Sequence, residues 1–328
     1  MPIDFTNCEK NKLKMFGGAN GSKLGIIYNG ESYMLKFPSE AKLNNNISYS
    51  NSTVSEHIGC RIFEMLSIPV QETLLGQYSH NGKDKTVVAC KDLESDGYKL
   101  KDFASLKNTI IDSVRGGYGT ELSDILQTID EQTLVSPIEL KKFFWEMFVV
   151  DTFIGNFDRH NGNWGFLINE DKQAVKIAPV FDCGSCLFAE MDLDKMQVVM
   201  NNKAELEYRL FVIPKSSIMR EGKKISYFDF LKSGENEDCT NALTNITQRI
   251  DLEKINQMID SLPMVSDGAK AFYKFMLKER KVQILDRAIE LLPKREKQSV
   301  VAKLETAKKE AFLSAPKTSE KKSHNIDL

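Results

Sequence analysis

The chain has 328 residues, 41% of them hydrophobic, with 44 Lys and Arg against 46 Asp and Glu and a formal net charge of −2. That balance leaves no electrostatic footprint for DNA, RNA or an anionic membrane surface; no apolar run reaches the length of a membrane span, and the polar start MPIDFTNCEKNK is not a Sec-type signal peptide. The length allows two lobes with cores of their own, and the 6 scattered cysteines read as reduced thiols, so a cytoplasmic location is the default, with export by a signal-independent route left open.

Residues 15–38 read as strand, loop, strand, turn, strand. Gly17, Gly18, Ala19, Asn20, Gly21, Ser22 and Lys23 form a loop of small residues whose backbone N–H groups can approach phosphate oxygens, and residues 24–28 continue as an apolar strand into the hairpin signal Asn29-Gly30. The next strand, 32–37, carries Lys36 among apolar residues, where a solvated lysine is out of pattern. A glycine-rich loop alone signals no more than a turn. Followed by a strand lysine, it reads as a phosphate cradle with its cationic partner. An Asn- and Ser-rich loop (42–52) leads to a helix over 55–66, with Ile58, Ile62, Phe63 and Leu66 on its buried face and Glu56 in its first turn. Strands at 72–78 and 85–90 complete a five-stranded small lobe. At Ala89, Cys90, Lys91 and Asp92 the chain is expected to cross to a second lobe. Backbone groups of Ala89, Cys90 and Lys91 would then serve an adenine edge, with Asp92 or Asp96 in reach of a ribose.

From 93 to 135 the pattern is helical, interrupted by a polar insert at 115–120 that reads as a loop at the cleft mouth. Ser136-Pro137-Ile138-Glu139 is a capping box with proline at the first helical position. It opens a helix apolar on nearly every side, hence buried, which Gly155-Asn156 ends. Beyond it, Asp158, Asn163 and Asp182 each sit where a turn interrupts an apolar run. Phosphoryl transfer asks for one carboxylate to orient and deprotonate a hydroxyl and for oxygen ligands to hold Mg²⁺ on nucleotide phosphates. Asp158 can be the first, Asn163 and Asp182 the second. One loop can aim both Asp158 and Asn163 into a cleft. The alternation at Trp164, Phe166 and Ile168, the turn at 169–171 and the return through Val175, Ile177 and Val180 read as a β-hairpin that brings Asp182 back beside Asn163. Any one of these residues alone is an ordinary solvated side chain; the ordered set, with spacing and secondary structure in agreement, is not. Cys183 and Cys186 form a C-x-x-C pair, but no second pair exists and no histidine has ligand spacing, so a zinc or thiol-exchange centre is not the reading. Further on, 193–212 is ambiguous, 251–262 and 269–312 are helical, and 314–328 is a polar tail of disordered composition.

Asp158-Arg159-His160-x-x-Asn163 followed by Phe181-Asp182-Cys183-Gly184 resembles the catalytic and metal-binding loops of HipA-like serine/threonine kinases in their short, single-domain form. In protein kinases at large the His and Arg precede the base; here they follow it, with the same base-to-Asn spacing. The resemblance implies a two-lobed α+β fold: residues 1–91 as a β-rich small lobe, 92–313 as a helical lobe with the catalytic and metal-binding loops, and 314–328 as a tail. It implies ATP and Mg²⁺ as cofactors and a protein Ser or Thr hydroxyl as acceptor, with autophosphorylation. It assigns Asp158 as base, His160 as support for the loop or a phosphate, Asn163 and Asp182 as metal ligands, Lys36 to the phosphates and Glu56 as the partner of Lys36, although on the residues alone Glu56 is equally a carboxylate at a helix N-terminus. There are two departures. Larger members carry an extra N-terminal domain tied to toxin–antitoxin assembly, whereas this chain begins almost at the glycine loop, so neither an antitoxin nor DNA-bound regulation is implied. The regulatory serine before the glycine pair is replaced by Met15-Phe16, and Ser22 does not match it. The D-R-H-x-x-N order also occurs in phosphoinositide kinases, which leaves a lipid kinase as one alternative; small size and the lack of a basic or amphipathic membrane segment stand against it. A pseudokinase scaffold is the other, and its usual mark, a lost base or metal ligand, is missing here.

Overall fold

The computed structural model describes residues 2–14, 22–38, 51–111 and 116–293. In the first ninety residues, short alternating segments form β1 (Ile3–Asp4), β2 (Glu9–Lys10), β3 (Lys23–Tyr28), β4 (Glu31–Lys36), β5 (Thr73–His80) and β6 (Lys83–Lys91), with helix α1 (Ser52–Met65) between β4 and β5. The strands make one six-stranded sheet in the order β1-β5-β6-β4-β3-β2. It has one strand more than the expected five because the N-terminus supplies two: β2 pairs with β3, and β1 runs parallel to β5 with Ile3 opposite Gly76. A Cβ at Gly76 would stand 2.4 Å from the Ile3 carbonyl oxygen, so the close approach of the first residues depends on that glycine. The strand expected near residue 15, the glycine positions 17–21 and the loop at 42–50 lie outside the described residues.

Alternation along β4 and β6 decides which side chains reach the cleft. Tyr33 and Leu35 of β4, with Val87 and Ala89 of β6, pack with Phe5 and Ile26 on one face of the sheet. The opposite residues, Val88 and Cys90, join the main core with Ile58 and Ile62 of α1, and Met34 packs against it. Lys36 falls on this second face, opposite Val88 and two residues beyond Met34, and is thereby aimed at α1.

The larger lobe begins with β7 (Lys99–Asp102), α2 (Phe103–Ile110), α3 (Leu122–Glu131), α4 (Pro137–Ile154), β8 (Gly165–Asn169) and β9 (Ala174–Ile177). The expected hairpin is present, with Phe166 opposite Ile177, but it belongs to a three-stranded sheet in which β7 pairs with β8. The Lys-Leu-Lys-Asp of β7 falls in a stretch whose pattern is helical. Pairing along β8 overrides that weak preference, and the lysines of this edge strand stay in solvent. The polar insert, described from Gly116, holds a single 3-10 turn against α2, where a Cβ on Gly117 would lie 1.6 Å from the Ala104 carbonyl oxygen. Gly117→Ala is therefore expected to destabilise the fold by about 1–3 kcal/mol, read as a lower urea midpoint by circular dichroism.

The ambiguous stretch resolves into α5 (Leu193–Asn201), α6 (Lys203–Glu207) and a π-helical turn, Tyr208–Val212. A short hairpin follows, β10 (Met219–Arg220) and β11 (Lys223–Lys224), then α7 (Tyr227–Ser233), α8 (Glu237–Arg249), α9 (Leu252–Asp260) and α10 (Asp267–Arg280), which continues through a π-helical segment into α11 (Arg287–Leu291). Met1–Leu292 form one compact unit; of the second, Pro293–Leu328, only Pro293 is described, so the expected tail and the end of the last helix lie outside the described residues. Among the described residues no helix is long and apolar enough to cross a membrane.

Candidate active site

The site hangs from α4. Ser136 caps its start, accepting a hydrogen bond from the Glu139 N–H at 3.4 Å, and Gly155 ends it in the left-handed region at φ 66°. Twelve of its residues from Leu140 to Ile154 are buried, which makes the helix a rigid central post. Arg280 of α10 reaches the far end, donating from Nε to the carbonyls of Thr152 (3.0 Å) and Phe153 (3.1 Å). A cation on the last carbonyls of a helix is favourable, although burial lowers the Arg280 pKa to about 10.

Immediately beyond that terminus, the loop 156–163 is fastened by buried polar side chains. Asp151, still on α4, accepts from Asn156 Nδ2 (2.9 Å) and from Arg159 Nε (2.9 Å) and Nη2 (3.3 Å). The same guanidinium donates from Nη1 to the carbonyls of Asn163 (2.8 Å) and Phe181, and so ties the loop carrying Asp158 to the loop carrying Asp182. Burial works against the charge on Arg159, and Asp151 more than restores it, holding its pKa well above the ordinary value. The Asn156 side chain accepts from the Asp158 N–H at 3.2 Å. Asn161 donates to the carbonyls of Gly117 (2.9 Å) and Gly119 (2.8 Å). His160 uses Nδ1 to accept from the Gly162 N–H at 3.0 Å, a contact within the loop.

Asn163 Nδ2 donates to the Asp158 carbonyl at 2.9 Å, so the other end of the amide, Oδ1, is the end with no hydrogen-bond donor among the described residues. Asp182 sits at φ 60° with its side chain about half exposed, on a segment held by backbone bonds between Val180 and both Pro69 and Gln71. Lys36 Nζ lies 2.9 Å from Asp182 Oδ1 and 2.9 Å from Glu56 Oε2, and Glu56 Oε1 accepts from the Cys183 N–H at 3.1 Å. Lys36 lowers the Asp182 pKa to about 2. In turn Asp182 and Glu56 outweigh burial at Lys36 and hold the ammonium charged. At Asp158, burial and then the neighbouring Asp182 raise the pKa, with His160 pulling the other way.

The structure thus gathers Lys36, Glu56 and Asp182 at one point, and places Asp158, His160 and Asn163 on the loop that Arg159 joins to Phe181. Ser22 and Lys23 are described at the start of β3; Gly17, Gly18, Ala19, Asn20 and Gly21 are not. Ala89 and Cys90 run inside the sheet between β4 and β5, and the N–H and carbonyl of Lys91 are engaged by Glu72 (2.9 Å) and Gln71 (2.7 Å). Even the Asp92 N–H is taken, by Ser32 at 2.9 Å. The crossing strand therefore leaves the sheet after Asp92, later than expected. Of the two ribose candidates, Asp92 is ion-paired with Lys14 at 2.8 Å, while Asp96 offers its carbonyl to Asn169. Cys183 and Cys186 are buried free thiols, the latter donating to the Ser55 carbonyl at 3.2 Å. Sequence reasoning misses Asp151, Asn156 and Asn161. For Asp151 a signal exists: a lone carboxylate in Phe-Val-Val-Asp-Thr-Phe-Ile, on a helix with no polar face to hold it.

A small sheet with its lysine paired to one helix, over a larger helical lobe carrying the two acidic loops, defines a protein-kinase-like fold. Residues 15–260 match the model of the HipA-like C-terminal domain, and the chain belongs to that family. It is 49% identical over 294 residues to the serine/threonine-protein kinase CtkA of Helicobacter pylori, an alignment covering 88% of this chain and 89% of the relative. The crystal structure of a Helicobacter pylori proinflammatory kinase CtkA superposes with a TM-score of 0.83 at 46% identity, covering 90% of this chain and 100% of the other.

Proposed function

We propose that this chain is an ATP- and Mg²⁺-dependent serine/threonine protein kinase in which Asp158 is the base. The observation that carries the reading is Lys36 Nζ at 2.9 Å from both Glu56 and Asp182, which joins the small lobe, α1 and the second acidic loop in one charge cluster. Asp158 orients the acceptor hydroxyl and takes its proton. Lys36, held charged, contacts the nucleotide phosphates, and Glu56 keeps it in place when Asp182 turns to other work. The donor set suits a hard divalent cation. Asn163 Oδ1 and the half-exposed Asp182 carboxylate would supply two oxygens, and phosphates and water would complete the shell of such an ion. Held by Asn163 and Asp182, Mg²⁺ would supply charge neutralisation for the transferring phosphoryl group. His160 supports the loop through Gly162. We assign the phosphates to the glycine-rich loop, of which Ser22 and Lys23 are described, and the adenine to the crossing after β6. Relatives that are protein kinases favour a protein acceptor, the chain itself included, over a lipid.

Label transfer from γ-labelled ATP to the protein and to a generic protein acceptor tests this directly. Wild type is expected to transfer label only with Mg²⁺ present, and Asp182→Asn to lose the transfer. Transfer undiminished in Asp182→Asn, or independent of divalent metal, removes Asp182 from the role of metal ligand.

A further inference from the structure

The β10–β11 hairpin is anchored to the catalytic loop from two sides. On one side, Asn161 of the loop holds the carbonyls of Gly117 and Gly119; the next residue, Thr120, accepts from the Met219 N–H at 2.8 Å and donates from Oγ1 to the Ser217 carbonyl at 2.7 Å. On the other, the buried Tyr227 that follows the hairpin donates its hydroxyl to the Asn156 carbonyl. The tip is pinned by Glu121, whose carboxylate accepts from the N–H groups of Glu221 (2.6 Å) and Gly222 (3.1 Å). A hairpin this short is marginal by itself, so these ties are what fix it beside the loop.

Its charge is one-sided. Residues 215–224 contain Lys215, Arg220, Lys223 and Lys224 against a single acid, Glu221. Arg220 is paired with Glu235. Lys223 and Lys224 are exposed, and among the described residues neither side chain has an ion-pair or hydrogen-bond partner. The charge of Lys224 is felt at Asp158, whose pKa it helps to lower against burial. An acceptor hydroxyl brought to Asp158 must carry its flanking residues past the solvent-facing elements near that carboxylate, and Lys224, whose charge reaches Asp158, is one of these, with Lys223 next to it on the same strand.

We propose that Lys223 and Lys224 form a docking edge for the acceptor segment and select Ser or Thr hydroxyls flanked by Asp or Glu side chains. This rests on Asp158 being the base. The complementarity is of the exposed kind, which contributes modestly and through encounter as much as affinity. It amounts to about a fivefold preference in kcat/KM at low salt, shrinking as ionic strength rises.

The test uses the full chain and three peptides that differ only in carrying Glu, Gln or Lys on both sides of one Ser. Wild type is expected to prefer the Glu peptide about fivefold, Lys223→Ala/Lys224→Ala to bring the ratio to about one, and Lys223→Glu/Lys224→Glu to favour a Lys-flanked peptide. Equal use of the Glu and Gln peptides by wild type overturns the proposal, as does a preference that survives in the alanine variant. Thermal melts of each variant separate lost selectivity from lost fold. Asp158→Asn is run alongside: full transfer in that variant overturns the base assignment itself, whatever the flank ratio shows.

Discussion

Asp158→Asn is expected to lower kcat by about 10²- to 10⁴-fold and to leave ATP binding and the fold in place. The structural reason is that the loop uses the backbone of Asp158, not its carboxylate. Its carbonyl accepts from His160 N–H (2.8 Å) and Asn163 Nδ2 (2.9 Å), and its N–H bonds Asn156, so an isosteric amide disturbs none of these contacts. The raised pKa sharpens the expectation. A carboxyl that ionises at higher pH in the folded protein than in the unfolded chain costs stability at every pH above its folded value, because folding then has to hold a charge that burial and Asp182 disfavour. The neutral variant escapes that cost. At pH 7 it should melt at the same temperature as wild type or higher, while turnover collapses. In wild type, kcat should fall on acidification through a pKa above that of an ordinary aspartate. His160→Gln, which removes an influence that lowers it, should move that limb to higher pH. A melting temperature well below wild type in Asp158→Asn would show that its carboxylate is structural instead.

Arg159→Met is expected to destabilise the protein by about 3–5 kcal/mol, measured by urea denaturation. Asp151 and Arg159 are both almost wholly buried, at 1% and 3% exposure, so the variant strands a carboxylate with only Asn156 for a partner. The loss also cuts the two bonds to the carbonyls of Asn163 and Phe181, so Mg²⁺-dependent turnover should weaken even under conditions where the variant is folded. Asp151→Leu combined with Arg159→Met removes both charges and should recover part of the stability without recovering activity. Stability additive across the two substitutions would mean that the pair is not coupled as the distances indicate.

Local signals carry the parts of the molecule that local physics determines. The cap at Ser136 and the stop at Gly155 delimit α4 in the sequence as in the structure, and a lysine out of place among the apolar residues of a strand marks Lys36, which the structure finds on the α1 side of the sheet. Glu56 stands between two readings because a carboxylate early in a helix is favourable without any partner; its bonds to Lys36 and to the Cys183 N–H join residues far apart in the chain. Asn161 has the same difficulty, since an asparagine in a turn needs no explanation, and its use is seen only with Gly117 and Gly119 in place. β1, β2, β10 and β11 have two residues each, too few to show a period. Helix α8, rich in Thr and Asn, shows its buried face of Cys239, Ala242, Leu243 and Ile246 only against the rest of the core.

The pairing of β1 with β5 has a bearing on how the protein is made. Ile3 and Phe5 leave the ribosome well before β5, yet their places, beside Gly76 and under the Gln77 carbonyl, do not exist until β5 has followed. Translation therefore cannot complete the small lobe in order: residues 3–5 wait as a loose segment and close the seam only after a long loop has been drawn together. In the interval between the emergence of β5 and the closing of that seam, the edge of β5 is open to a strand from any other nascent chain. Deletion of the first six residues would make the interval permanent, and such a protein should show its defect first as aggregation during expression.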